Sequence, residues 1–323
     1  MADESILRRA RRLRRKPARI GLALGGGAAR GWAHIGVIEA LAERGIRIDC
    51  IAGTSMGALV GAFHASGRLS ELREIACGLD WRRALHYFLE MTFPRSGMID
   101  GRKIADFARK SIAFSRIEDM PVPFKAVAAD VRTGEEIILD RGDAINAVRA
   151  SISIPGMFTP VPLDDHLLVD GGLVNPVPVS VVRAMGADTV IAVDVNHCIF
   201  GDHEPDGPVP AVKPASGPDS AVRPGQALPA TGRFLDRMRD RLRDRGRQPG
   251  PPWSRAAALP NIFDILGNSI QIMQVRITEA RFKSEPPDVL IRPRVGNIGF
   301  MDFHRAREAI SAGYAAATGD AKP

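Results

Sequence analysis

The chain reads as an α/β protein built on a mostly parallel sheet with helices on both faces, and three observations point there. Short apolar strands alternate with stretches of helical periodicity along most of the 323 residues. Two strand-to-helix junctions are glycine-rich, at Gly25-Gly26-Gly27 and at Gly53-Thr54-Ser55-Met56-Gly57. Apolar residues make up 45% of the chain, ample for a packed core, so wholesale disorder is excluded.

Taken in order, Ile20–Leu24 is a buried apolar strand, and Arg30–Glu43 has helical spacing that ends near Gly45. Asp49–Ala52 is a second strand and Met56–Ala65 a second helix, with helical spacing again around 70–90 and 102–112. Phe124–Ala129 and Glu136–Leu139 flank Arg132-Thr133-Gly134 and predict a hairpin, followed by a helix over Ala144–Ala150. Leu167–Val169 is a short strand. Asn175-Pro176 has the form of an N-cap with proline at the first helical position, which predicts a helix over Pro176–Met185. The β-branched run Thr189–Val193 is a strand; after a break, Ile262–Phe282 is a long helix, Val289–Ile291 a strand and Phe303–Tyr314 a last helix.

The break is compositional. Ten of the 24 prolines fall in residues 199–258, with much Gly and Arg and few large apolar groups, which predicts a mobile insertion. Within it, Phe234, Met238 and Leu242 recur among Arg237, Arg239, Arg241 and Arg243, so 233–247 has the pattern of a short basic amphipathic helix. Charge is equally uneven. Residues 1–20 carry seven Arg and one Lys against Asp3 and Glu4, a net +6 of the whole chain's +7. The basicity is therefore an arm, suited to phosphates or to anionic lipid headgroups at the inner face of a membrane, with a frayed solubilising tail as the alternative, and gives no ground for specific nucleic-acid binding. The expected organisation is a basic arm over 1–18, one α/β domain over 19–198 and 259–315 interrupted by 199–258, and a tail over 316–323.

Three cysteines at 50, 77 and 198, without a C-x-x-C, support neither a disulfide framework nor a structural zinc site and favour a reducing, cytoplasmic setting. No run reaches the length of a membrane span. The arm followed by Ile20–Gly25 imitates a secretory signal, but the glycines make a poor apolar region and the helical pattern continues through Ile35, Ile38 and Leu41.

Gly53-Thr54-Ser55-Met56-Gly57 is a G-x-S-x-G pentapeptide between an apolar strand and an apolar-faced helix, the setting of a nucleophile elbow. A serine at such a turn projects its hydroxyl out of the sheet, and the flanking glycines let other backbone pass close by. Gly25-Gly26-Gly27-Ala28-Ala29-Arg30-Gly31 likewise joins a strand to a helix, so its N–H groups form an anion cradle. It could hold a pyrophosphate or an oxyanion. A Walker loop is excluded by the lack of Gly-Lys-Ser/Thr. A dinucleotide fingerprint fits poorly, because Ala28 falls where its second glycine should be; the serine elbow that follows makes an oxyanion hole the simpler use. Asp170, before Gly171-Gly172 and directly after the strand Leu167–Val169, is well placed to partner a serine, although most Asp-Gly pairs are only turns. None of His34, His64, His86, His166, His197, His203 and His304 has a setting that marks it as a base.

The glycine loop with Arg30 and Gly31, the pentapeptide with Gly53 and Gly57, and Asp170-Gly171-Gly172 together resemble the patatin-like phospholipases. Residues 21–37, the stretch Arg149–Gly156 and Asp302–Ala306 are similar to the bacterial branch near neuropathy-target esterase, the RssA-type proteins. The resemblance spans roughly residues 19–315 apart from 199–258. It implies a patatin-type three-layer α/β/α sandwich and a Ser–Asp dyad hydrolase. Ser55 would be the nucleophile, Asp170 the proton acceptor, and the N–H groups of Gly26, Gly27 and Ala28 the oxyanion hole, with no metal ion or cofactor. Ala28 departs from the third glycine of many members and requires alanine to tolerate that backbone conformation. The implied substrate is a lipid or lysophospholipid ester. Two other classes stand beside this one, a catalytically idle scaffold on the same fold and, well behind, a dinucleotide-dependent oxidoreductase.

Overall fold

Alternation along the strands decides the layers. In a computed structural model of the chain, which describes residues 18–79, 116–197 and 262–319, strand β1 (Ile20–Leu24) turns Leu22 and Leu24 to one face of a sheet and Ala23 to the other. A short 3₁₀ turn over Ala28–Trp32 leads into helix α1 (Ala33–Glu43), then β2 (Cys50–Thr54), α2 (Met56–Ala65) and α3 (Leu69–Gly78). After residue 116 come β3 (Phe124–Asp130), β4 (Glu136–Leu139), α4 (Ala144–Ser151), β5 (Val161–Leu163), β6 (His166–Asp170), α5 (Val179–Ala184) and β7 (Thr189–Val193). The last described stretch holds α6 (Ile262–Ser284), β8 (Val289–Ile291) and α7 (Ala306–Thr318).

These strands form one sheet of eight in the order β5-β6-β3-β2-β1-β7-β8, with β4 also on β3. The pairs β1–β2, β1–β7, β2–β3 and β7–β8 are parallel, while β3–β4, β3–β6 and β5–β6 are antiparallel. On one face Leu22, Leu24, Ile51 and Val193 pack with Ile35 and Ile38 of α1, Val60 and Phe63 of α2 and Ile310 of α7. On the other, Ala23, Ala52, Val190 and Ala192 meet Val179, Val181 and Val182 of α5. Burial on both faces is why β1 and β7 read as continuous apolar runs, and the architecture is the expected three-layer α/β/α with a mostly parallel sheet.

Two local expectations change. The helix predicted from Arg30 begins at Ala33, because Ala28–Trp32 winds as a tighter 3₁₀ turn. Asn175-Pro176 does not cap a helix, since α5 starts at Val179; Asn175 is buried and donates from Nδ2 to Glu136 Oε1 (2.7 Å) and Ser180 Oγ (3.2 Å). The basic arm, the basic amphipathic pattern of 233–247, the proline-rich break and the helical spacing beyond residue 79 lie outside the described residues, as do His86 and His203. No helix among the described residues is long and apolar enough to cross a membrane.

Candidate active site

Register brings the predicted residues together. Leu24 pairs with Gly53 on β2 and with Val193 on β7, so β1, β2 and β7 deliver their following loops to the same end of the sheet. Strand β3 has two edges. One carries β4; the other is shared end to end by β2, whose Thr54 lies opposite Val127, and by antiparallel β6, whose Asp170 lies opposite Ala128. Ser55 and Asp170 therefore meet where two strands converge on adjacent positions of a third.

The turn at Ser55 is sharp, with φ 55° and ψ −123°, a conformation costly for a residue with a Cβ. Its neighbours must be glycine. A Cβ at Gly53 would lie 2.3 Å from the Gly57 carbonyl oxygen, and one at Gly57 2.1 Å from that of Leu24. The elbow is pinned by a residue that sequence reasoning did not single out: Ser55 N–H donates to Ser151 Oγ (2.8 Å), and Ser151 Oγ donates to the Val127 carbonyl (2.6 Å). With its N–H engaged there, the Ser55 hydroxyl donates to Asp170 Oδ2 at 2.7 Å, and Gly172 N–H donates to Asp170 Oδ1 at 2.7 Å. Both residues are buried. Burial raises the Asp170 carboxyl from 3.8 to about 6 against the pull of those two donors, so it is ionised at neutral pH yet a far better proton acceptor than an exposed aspartate.

The glycine loop is held peptide by peptide. Gly25 N–H donates to the Val193 carbonyl (3.1 Å) and Gly26 N–H to the Pro176 carbonyl (2.9 Å). Of the three amides expected to face an oxyanion, that of Gly26 is thus already engaged, and those of Gly27 and Ala28 are the candidates. Ala28 adopts φ 47°; with Ser55 it makes up two of the three non-glycine residues at positive φ among those described. Gly31 packs against Met56, whose Cβ would lie 2.4 Å from a Cβ at that position. Arg30 is buried, and desolvation lowers its guanidinium to about 10 while Asp302 opposes the shift, so it stays cationic at neutral pH.

His34, the histidine closest in sequence to the loop, is fully buried and its Nε2 lies 2.7 Å from the Gly25 carbonyl. That contact requires the proton on Nε2. Desolvation lowers the imidazole to about 4, so at neutral pH it is an uncharged donor that steadies the loop. Asn196, two residues beyond Asp194 at the end of β7, donates from Nδ2 to the Gly26 carbonyl (3.0 Å). No local sequence signal marks it, because its role depends on which strand lies beside β1.

Beside the elbow opens a pocket of about 860 Å³, including the part open to solvent. Its walls include Trp32, Leu59, Leu72, Ile154, Phe158 and Phe303, and among the described residues that line it Ser55 is the one with a hydroxyl or charged side chain. Such a wall offers hydrocarbon nothing to displace but water, and it leads to a hydroxyl. A serine elbow on a parallel α/β sheet opening into such a pocket defines a class, the lipid ester hydrolases. Residues 22–183 match the family described as patatin-like phospholipase, and the chain belongs to that family. An NTE family protein of Mycobacterium tuberculosis is 38% identical to it, over 93% of this chain and 90% of that one. Lysophospholipase NTE1 of Mycosarcoma maydis is 33% identical over 92% of this chain, a stretch that spans 14% of that larger protein. Among solved structures, VipD from Legionella pneumophila aligns over 94% of this chain and 67% of its own, at 13% identity and a TM-score of 0.44.

Proposed function

We propose that this chain hydrolyses lipid or lysophospholipid esters through a Ser55–Asp170 dyad and an acyl-enzyme. The observation that carries the reading is the 2.7 Å hydrogen bond from Ser55 Oγ, at the wall of an apolar pocket, to the buried carboxylate of Asp170. As Oγ attacks the ester carbonyl, its proton passes to Asp170 Oδ2, and the developing oxyanion is met by the amides of Gly27 and Ala28. Protonated Asp170 then returns the proton to the leaving alcohol, the ester C–O bond breaks, and the acyl group remains on Ser55. Water enters, gives its proton to Asp170 and attacks the acyl carbonyl; Oγ leaves and takes the proton back, so the enzyme is unchanged. The apolar walls would take the acyl chain. A lysophospholipid is favoured as substrate by the relative that carries lysophospholipase in its name. The charge of residues 1–18, with that of 233–247, would favour an anionic membrane surface as the place of work.

Ser55→Ala tests the reading. It is expected to abolish covalent labelling by an active-site-directed phosphonate and to lower ester turnover by at least about 10³-fold with the cooperative thermal melt retained. Undiminished labelling of the alanine variant would overturn it in favour of an idle scaffold that reacts elsewhere.

A further inference from the structure

The N–H of a trans peptide points opposite to the C=O of the residue before it, so whatever holds the Gly26 carbonyl also aims the Gly27 amide. That carbonyl accepts from Asn196 Nδ2 at 3.0 Å. The same Nδ2 donates to Gln274 Oε1 on α6 at 3.1 Å, and Asn196 N–H donates to Asp194 Oδ1 at 3.0 Å. Both protons of one NH₂ group are thereby directed at two acceptors in a site where Asn196 is 4% exposed and Gln274 5%. Turning the carboxamide over would set Oδ1 against two carbonyl-type oxygens, so only one orientation serves both acceptors, and it does so although Oδ1 is then buried without a hydrogen-bond partner among the described residues. Gly27 leaves no slack on that side. A Cβ there would lie 2.3 Å from Val195 Cγ2 and 3.3 Å from Asn196 Oδ1. The peptide before it is held in the same manner: His34 takes the Gly25 carbonyl, and the Gly26 amide consequently points to the Pro176 carbonyl.

Resting on the dyad reading above, we infer that Asn196 is a positioning residue for catalysis. It clamps the Gly26–Gly27 peptide so that the Gly27 N–H is aimed at the ester oxygen before substrate arrives, and Gln274 holds the clamp in register. A donor fixed in advance needs no reorganisation as charge develops, which is where such groups lower the barrier. Asparagine is the residue the position calls for, because a carboxylate of the same shape would face two oxygens with a negative charge, and alanine would leave the Gly26 carbonyl buried and unheld.

The experiment compares Asn196→Ala, Asn196→Asp and Gln274→Met on the full chain. Four quantities are read: kcat and KM for a soluble short-chain ester, affinity for a trifluoromethyl ketone that adds Ser55 to form an anionic hemiketal, and affinity for the unreactive alcohol of the same chain length. Removing an oxyanion donor outright costs about 10²–10³ in kcat, so a misaimed one is expected to cost about 10–100-fold in the Asn196 variants, more for Asp than for Ala, and about 3–10-fold in Gln274→Met. KM and alcohol affinity should stay within about threefold, while ketone affinity falls in proportion to kcat/KM. A purely structural role would instead move KM and alcohol affinity along with kcat and leave the ratio of ketone to alcohol affinity unchanged; that result, or a kcat within about threefold of the parent in folded variants, overturns the inference. If neither Asn196 variant melts cooperatively, Gln274→Met, which leaves the loop's own residues intact, decides by the same criteria. Ser55→Ala in the same assay keeps the two ideas apart: activity in it fells the dyad reading, whereas its inactivity beside unimpaired Asn196 and Gln274 variants fells only the clamp.

Discussion

Asp130 and Asp170 sit on one β-ladder, both nearly inaccessible, with opposite electrostatics. Asp130 ends β3 opposite Leu168, and two positions along β6 is Asp170, opposite Ala128. Asp130 is covered by its own partners: Arg132 N–H (2.9 Å) and the Arg132 guanidinium donate to it, and His166 Nδ1 lies 2.8 Å away. Those partners are themselves well exposed, 56% for the Arg132 side chain and 40% for that of His166. Their hydrogen bonds and charge hold the Asp130 carboxyl well below the usual range. Asp170 is covered instead by the core, receives two donors without a formal charge, and is pushed up to about 6. Burial by a salt-bridge partner and burial by hydrocarbon are thus opposite events for a carboxylate. Only the second creates a base poised near neutral pH.

The largest expected effect separates the two in activity. Asp170→Asn should lower kcat/KM by at least about 10³-fold, since the proton from Ser55 then has no acceptor, while Asp130→Asn should stay within about threefold. In the parent protein the acid limb of kcat/KM for a non-ionising ester should have its midpoint near 6, the value at which Asp170 loses its charge. An equal loss in both asparagine variants, or a limb that no change at Asp170 moves, would erase the distinction.

Stability should divide them with opposite sign. The unfolded chain releases the Asp170 proton near 3.8 and the folded chain holds it to about 6, so stability falls as pH rises through that window and the whole penalty is present above it. A shift of about two units is at most about 3 kcal/mol, and Asp170→Asn should therefore stabilise by about 1–3 kcal/mol at pH 7.5, a gain that fades toward pH 4. For Asp130 the shift is downward, so its contribution is present above its ordinary titration range and lost as pH falls through and below it. Asp130→Asn should accordingly lower the melting temperature at pH 7.5 and have a shrinking effect in acid. Melting curves from about pH 2.5 to 8 read both slopes, that of Asp170 above about pH 4 and that of Asp130 below it, and slopes of the same sign would break the comparison.

The smallest effect tests how many partners Asp130 needs. His166→Ala removes one exposed neighbour of three contacts and should lower the melting temperature by no more than about 2–3 °C, less at high salt, with turnover unchanged. A large loss of stability or of activity would mean that this outer cluster is coupled to the site.

Much of this was legible in the chain because it rests on local rules. Ile20–Leu24 and Thr189–Val193 announce strands by their apolar, β-branched runs; Gly53 and Gly57 announce an elbow because no other side chain fits beside a serine so turned; Asp170 at a strand end before two glycines is open to a serine partner. The three-residue strand β5, interrupted by Pro162, carries too little periodicity to be seen, and Asn175-Pro176 imitates a helix start while serving as a buried brace. What the sequence by itself determined are the pieces with their own short-range chemistry: strands, helices, the elbow and the glycine loop. The tertiary structure alone decided that β2 and β6 share one edge of β3, so that residues 115 apart come within 2.7 Å, and that β7 lies beside β1 and carries Asn196 to the glycine loop. It also decided that the Gly26 amide is engaged while its carbonyl is held, and that one buried aspartate is acidic and the other basic. Periodicity and turn chemistry act over a few residues, whereas strand order, desolvation and the partner of each peptide group are set by neighbours far away in the chain.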